Sequence, residues 1–149
     1  MNQHRSKSQR DVPRRWYRGA NVPRRAIRRF ASEVAKRFQP DKIILFGSHA
    51  CGTPHADSDV DILVIMPARN ELGQAMRIRL SVDYNFPLDL LVRTPRNLAW
   101  RLAEGDSFLK EVMAKGEVLY EKDNSRLGAK GRDRSSRRTK TGTRPAANA

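Results

Sequence analysis

Residues 45–64, LFGSHACGTPHADSDVDILV, decide how the rest of the chain is read. The short apolar run Ile43, Ile44, Leu45, Phe46 stops at Gly47-Ser48, and its length and β-branching predict a buried strand rather than a helix. Turn formers follow in GTPHADS, residues 52–58. From there Asp59 and Asp61 alternate with Val60, Ile62 and Val64 before the chain becomes wholly apolar up to Pro67, which predicts a second strand. Successive strand side chains point to opposite faces, so Asp59 and Asp61 must share one face while Val60 and Ile62 enter the core.

Upstream, Pro23 opens an amphipathic helix in which Ile27, Phe30, Ala31, Val34, Ala35 and Phe38 recur at spacings of three and four, ending before Pro40. Downstream, the spacing of Leu72, Ala75, Met76, Ile78 and Leu80 predicts a helix over 70–82, and PLDLLVRTP, residues 87–95, predicts a third strand. Thr94 is an N-cap followed by proline at the first helical position, so a helix carrying Leu98, Trp100 and Leu102 should run to Gly105. A last helix through Phe108, Leu109, Val112 and Met113 stops near Gly116, and EVLYE, residues 117–121, offers a short edge strand. The order helix, strand, strand, helix, strand, helix, helix, strand gives an α+β domain, α/β-like in its alternation, with a small mixed β-sheet flanked by helices.

Charge divides the 149 residues into three parts. Residues 1–30 hold ten Lys/Arg and one acid, residues 31–121 eleven against thirteen, and residues 122–149 nine against two, within a formal net charge of +14. A near-neutral domain at 23–121 is therefore expected between basic arms at 1–22 and 122–149 that are poor in large apolar residues and read as disordered. Such arms suit nucleic-acid phosphates or simple solubilisation, but offer no groove-binding helix and no aromatic platform beyond Trp16 and Tyr17. The single cysteine, Cys51, excludes an internal disulfide framework and a Cys-cluster zinc site. No apolar run approaches the ~20 residues needed to cross a bilayer, and no apolar segment follows the basic N-terminus. The expectation is a soluble cytoplasmic protein with no membrane partner.

Two carboxylates held side by side on a strand repel each other, a cost tolerable if a cation or an altered protonation state relieves it. Oxygen ligands without His or Cys select a hard ion, Mg²⁺ or Mn²⁺. Asp89, flanked by Leu88 and Leu90, is a third acid that should face the same site, and three carboxylates suit a two-metal centre. A strand ending in Gly47, with Ser48 opening the next turn or short helix, presents backbone N–H groups and a hydroxyl to phosphate oxygens. Neither a G-S dipeptide nor a D-x-D is specific alone; their order and spacing carry the signal. His49 and His55 read as exposed loop residues, Cys51 as a small packing residue, Asp57 and Asp83 as surface charges, and Trp100 as core.

The pattern LFGSHACGTPHADSDVDILV followed by PLDLLV resembles the nucleotidyltransferase superfamily that includes DNA polymerase β, above all its minimal stand-alone bacterial and archaeal branch, over residues 25–121. The resemblance implies that Gly47 and Ser48 hold the phosphates of ATP or another NTP, that Asp59 and Asp61 bind Mg²⁺, and that Asp89 completes the metal site and helps activate an acceptor hydroxyl. Close relatives usually carry arginine where this chain has Cys51, in a G-S-x-A-R-G run, so a phosphate-facing charge is absent at that position. Minimal members of this kind are typically paired with a HEPN-domain protein in toxin–antitoxin systems, as antitoxins that adenylylate a toxin tyrosine. A nucleotide-binding antitoxin acting by contact alone, and an enzyme extending nucleic-acid ends held by the basic arms, are the alternatives the sequence leaves open.

Overall fold

The structure, a computed structural model, describes residues 15–123. The basic stretches 1–14 and 124–149, the greater part of both expected arms, lie outside the described residues.

Helix α1, Arg24–Phe38, starts one residue after Pro23 and buries Ile27, Phe30, Ala31 and Val34 along one stripe. It stops where Gln39 turns into the left-handed region, just before Pro40. Strand β1 is Lys42–Phe46, α2 is the single turn Ser48–Cys51, and β2 is Val60–Ile65. Helix α3, Glu71–Ser81, leads into β3, Leu88–Arg93. Helices α4, Pro95–Ala103, and α5, Ser107–Lys115, precede β4, Glu117–Glu121.

Helices α3, α4 and α5 each begin at a capped N-terminus. Asn70, Thr94 and Asp106 accept the backbone N–H of Gly73, Asn97 and Leu109 at 2.8, 3.1 and 3.0 Å. Each such cap is worth about 1 kcal/mol. Glu71 joins the starts of α3 and α4, its carboxylate accepting from Thr94 N–H and Asn97 Nδ2, both at 2.8 Å.

The strands form one four-stranded sheet in the order β3-β2-β1-β4, small and mixed as the alternation of elements predicts. β1 pairs antiparallel with β2 and with β4, whereas β2 and β3 are parallel, joined by the crossover through α3. Helices cover both faces, which explains why residues 62–66 are buried without interruption. On one face α1 and α3 pack through Phe30, Val34 and Ile78 onto Ile43, Leu45, Val60, Ile62 and Val64. On the other, Leu98 of α4 with Leu109 and Val112 of α5 pack onto Ile44, Phe46, Leu63 and Ile65.

Residues 15–22, which charge groups with the N-terminal arm, lie against the domain. Tyr17 N–H donates to Asn85 O at 2.8 Å, Asn85 Nδ2 donates to Arg15 O at 2.9 Å, and Val22 is buried in the first core. Trp100, expected in the core, is instead 60% exposed, because α4 faces the sheet through Leu98. Helix α3 is present where periodicity places it, yet it buries only Ala75 and Ile78 and leaves Leu72, Met76 and Leu80 exposed.

Candidate active site

Asp61 sits on the sheet face that carries Leu63 and Ile65, the face covered by α4 and α5. In the parallel register it stands directly beside Asp89, and in the antiparallel register beside Phe46. One row across three strands therefore reads Asp89, Asp61, Phe46, and Gly47 follows at the end of β1. The chain folds this way because the crossover through α3 returns β3 parallel to β2, bringing the two acid-bearing strand starts level. Asp59 lies just before β2 rather than within it.

A cavity of about 390 Å³ opens over this row, and Phe46, Gly47, Cys51, Asp61 and Asp89 line one side of it. The other side is one face of α5, formed by Phe108, Glu111, Val112 and Lys115. A larger open groove, about 540 Å³, runs between α1 and β4 and holds none of the three aspartates.

The electrostatics mark the row as a site short of positive charge. Burial first, then the field of Asp89, then that of Asp59, push the Asp61 carboxyl up from 3.8 to about 6. A cation at this place would remove both penalties, and an all-oxygen donor pair suits a hard divalent ion. Among the described residues no three His, Cys, Asp or Glu side chains make a ready-formed metal cage. Mg²⁺ does not require one, since it is usually held by one or two carboxylates with waters and substrate phosphates completing its shell. The residues present thus fit a Mg²⁺–nucleotide complex better than a metal bound by protein alone.

Gly47 has φ +74° and ψ −156°, a conformation essentially confined to glycine. A β-carbon there would stand 2.1 Å from Asp61 Oδ2, so the carboxylate occupies the room that glycine leaves. Ser48 begins α2, whose turn closes with Ala50 N–H and Cys51 N–H on Gly47 O at 3.2 and 3.1 Å.

Of the residues singled out from sequence, Gly47, Asp61 and Asp89 meet at the cavity, while Asp59 acts on Asp61 from its margin and Ser48 does not line it. His55 and the carboxylates of Asp57 and Asp83 are exposed as expected. His49 is not an exposed loop residue: it lies in α2 and is only 7% exposed, with Nε2 buried and unpartnered among the described residues. Burial and then the Arg24 guanidinium hold its imidazole below 6.5, against a hydrogen bond to the Ser58 backbone that works the other way. Cys51 is not a packing residue but an exposed thiol on the cavity wall. Sequence reasoning missed Glu111 and Lys115, whose one signal was helical spacing with Phe108 and Val112.

No helix among the described residues is long and apolar enough to cross a membrane. Among curated proteins, the chain is 28% identical over 102 residues to "Putative protein adenylyltransferase MJ0604" from Methanocaldococcus jannaschii, covering 64% of this chain and 96% of that protein. Among solved structures, one described as "a putative nucleotidyltransferase" from Sulfolobus solfataricus matches with TM-score 0.44 and 16% identity, over 67% of this chain and 81% of that one. The family model described as "Nucleotidyltransferase domain" matches residues 27–119, from α1 to β4 and across the whole row of acids. The chain belongs to that nucleotidyltransferase family.

Proposed function

We propose that this chain transfers AMP from ATP to a hydroxyl on a partner protein and releases pyrophosphate. The carrying observation is the side-by-side register of Asp61 and Asp89 against Gly47, with the Asp61 carboxyl raised to about 6 by burial first and then by the charges of Asp89 and Asp59. In the reaction the acceptor oxygen forms a bond to the α-phosphorus, the bond from that phosphorus to the bridging oxygen breaks with pyrophosphate as the leaving group, and the hydroxyl proton passes to solvent water. Asp61 and Asp89, with Asp59 at the margin, would hold Mg²⁺, which would supply neutralisation of the phosphates and of the developing negative charge. Gly47 and the turn it opens admit the phosphates close to the backbone, and Asp89 orients the acceptor hydroxyl. Catalysis of this kind is chiefly placement and charge neutralisation.

A protein acceptor is favoured by the name of the Methanocaldococcus jannaschii relative, which is that of a protein adenylyltransferase. The resemblance to minimal members of the superfamily supports a HEPN-domain toxin as the partner, its tyrosine as the acceptor, and an antitoxin role for this chain. The test is incorporation of label from ATP labelled at the α-phosphate into a HEPN-domain partner with Mg²⁺ present. Transfer should fall by about 10²–10³ in Asp61→Asn, as for loss of one preorganised charge-stabilising group. A partner neutralised equally well by the Asp59→Asn/Asp61→Asn double variant, with no label transferred, would replace this reading with inhibition by contact. The net charge of +14 supports a second reading, an enzyme acting on nucleic-acid ends. Its test is salt-sensitive RNA binding that is lost when residues 1–14 and 124–149 are removed, a truncation that spares the residues 15–22 packed on the domain.

A further inference from the structure

We infer that the inner face of α5 is the second wall of the nucleotide site, with Lys115 taking the phosphates and Phe108 the base. The inference rests on the nucleotide reading above and assigns ligand contacts to a helix outside the motif that supports that reading.

Three observations carry it. Phe108, Glu111, Val112 and Lys115 follow one another at helical spacing and together line the cavity that also holds Asp61 and Asp89. The charge inventory of the cavity is lopsided: Asp61, Asp89 and Glu111 are acids, and Lys115 is the one cation among the described residues lining it. A polyphosphate remains anionic after a divalent ion has neutralised part of it, so it needs a fixed positive charge, and Lys115 stands where one is required. Its present partner is Glu111, four residues back at 3.2 Å, and both side chains are more than half exposed. Such pairs on a helix surface are weak and readily exchanged for a phosphate.

Phe108 is the third observation. Its ring meets that of Phe46 in a T-shaped approach at 5.6 Å between centroids and 80° between planes, and 46% of the residue stays exposed beside the cavity. A large aromatic ring half exposed beside the cavity offers a stacking surface that any base can use. Phe108 and Lys115, seven residues apart, are separated by roughly 10 Å along the helix axis, a span a nucleoside triphosphate can bridge.

Binding of Mg²⁺–ATP and of Mg²⁺–tripolyphosphate, which has no base, separates the two roles. Lys115→Ala should weaken both ligands by about tenfold and Lys115→Arg should restore both. Phe108→Leu, which keeps apolar contact with Phe46, should weaken ATP by about five- to tenfold and leave tripolyphosphate within about twofold. Thermal melts of each variant without ligand confirm that the fold is kept. If both variants bind ATP as the unaltered chain does, the α5 wall is overturned while the nucleotide reading stands. If the unaltered chain binds no ATP with Mg²⁺, the nucleotide reading itself fails and the inference falls with it.

Discussion

Asp61 Oδ2 lies 2.1 Å from where a β-carbon on Gly47 would be, so the acid at the centre of the site and the glycine that ends β1 are fitted to each other. Gly47→Ala would meet two obstacles at once: a backbone at φ +74° and ψ −156° that L-residues avoid, and a carboxylate oxygen of Asp61 that would have to shift from its place in the site. Backbone strain of this kind costs of order 1–3 kcal/mol. The expected outcome is a melting temperature lowered by several degrees together with loss of Mg²⁺-dependent ATP binding. A Gly47→Ala protein that melts and binds as before would show that the carboxylate does not need the space.

The Asp61 carboxyl also makes stability depend on pH in an unusual direction. Its folded pKa of about 6 lies above the ordinary 3.8, so between those values the native chain holds more of this proton than the unfolded chain does. Stability contributed by this group therefore falls as pH rises from about 4 to about 6 and stays at its low value above that. Without metal, Asp61→Asn should melt higher than the unaltered chain at pH 7.5, and the difference should shrink toward pH 4. Added Mg²⁺ should raise the melting temperature of the unaltered chain at pH 7.5 and not that of the variant, by preferential binding to the native state. Calorimetric scans across this range check both signs.

His49 should act with the opposite sign. Its imidazole is held below 6.5 mainly by burial, so the unfolded chain takes up this proton at a higher pH than the native one. Stability from this residue is complete above 6.5 and is lost as pH falls below it. His49→Leu removes the titrating group and the unpartnered Nε2 together, and should flatten the acid limb of the stability profile below pH 6.5. An acid limb unchanged in that variant would assign the loss of stability to other groups.

Punctuation made the elements legible in the sequence, whereas their environment was not. Gly47, Pro67, Thr94-Pro95, Gly105 and Gly116 act through local backbone chemistry, and each bounds an element close to where the structure has it. That Asp61 faces away from Val60 and Ile62 followed from strand alternation in the same local way, whereas Asp59 lies just before β2 and does not line the cavity. What local chemistry does not encode is coverage. Leu72, Met76 and Leu80 have the spacing of a buried stripe and are exposed, Trp100 is exposed, and His49 is buried, because which helix faces meet the sheet is settled by packing among distant segments. The same limit hid Glu111 and Lys115: helical period shows that they share a face with Phe108, but only the packing of α5 on β1 shows that this face overlooks the acids.

The ordering of influences on Asp61 yields a last expectation. Burial is the largest, Asp89 the next and Asp59 the smallest. Asp89 stands level with Asp61 on the neighbouring strand, while Asp59 precedes β2 on the same chain segment. Removing a like charge makes ionisation of the remaining carboxyl easier, so both Asp89→Asn and Asp59→Asn should lower the Asp61 pKa from about 6, with Asp89→Asn lowering it further. Neither change, nor the two together, should bring it to 3.8, because burial persists when both neighbours are neutral. Carboxyl-carbon NMR titration of Asp61 in the metal-free variants reads this directly. A larger response to Asp59→Asn would mean that the pair set side by side across β2 and β3 is not the one that repels most, and the acceptor-orienting place given to Asp89 would have to pass to Asp59.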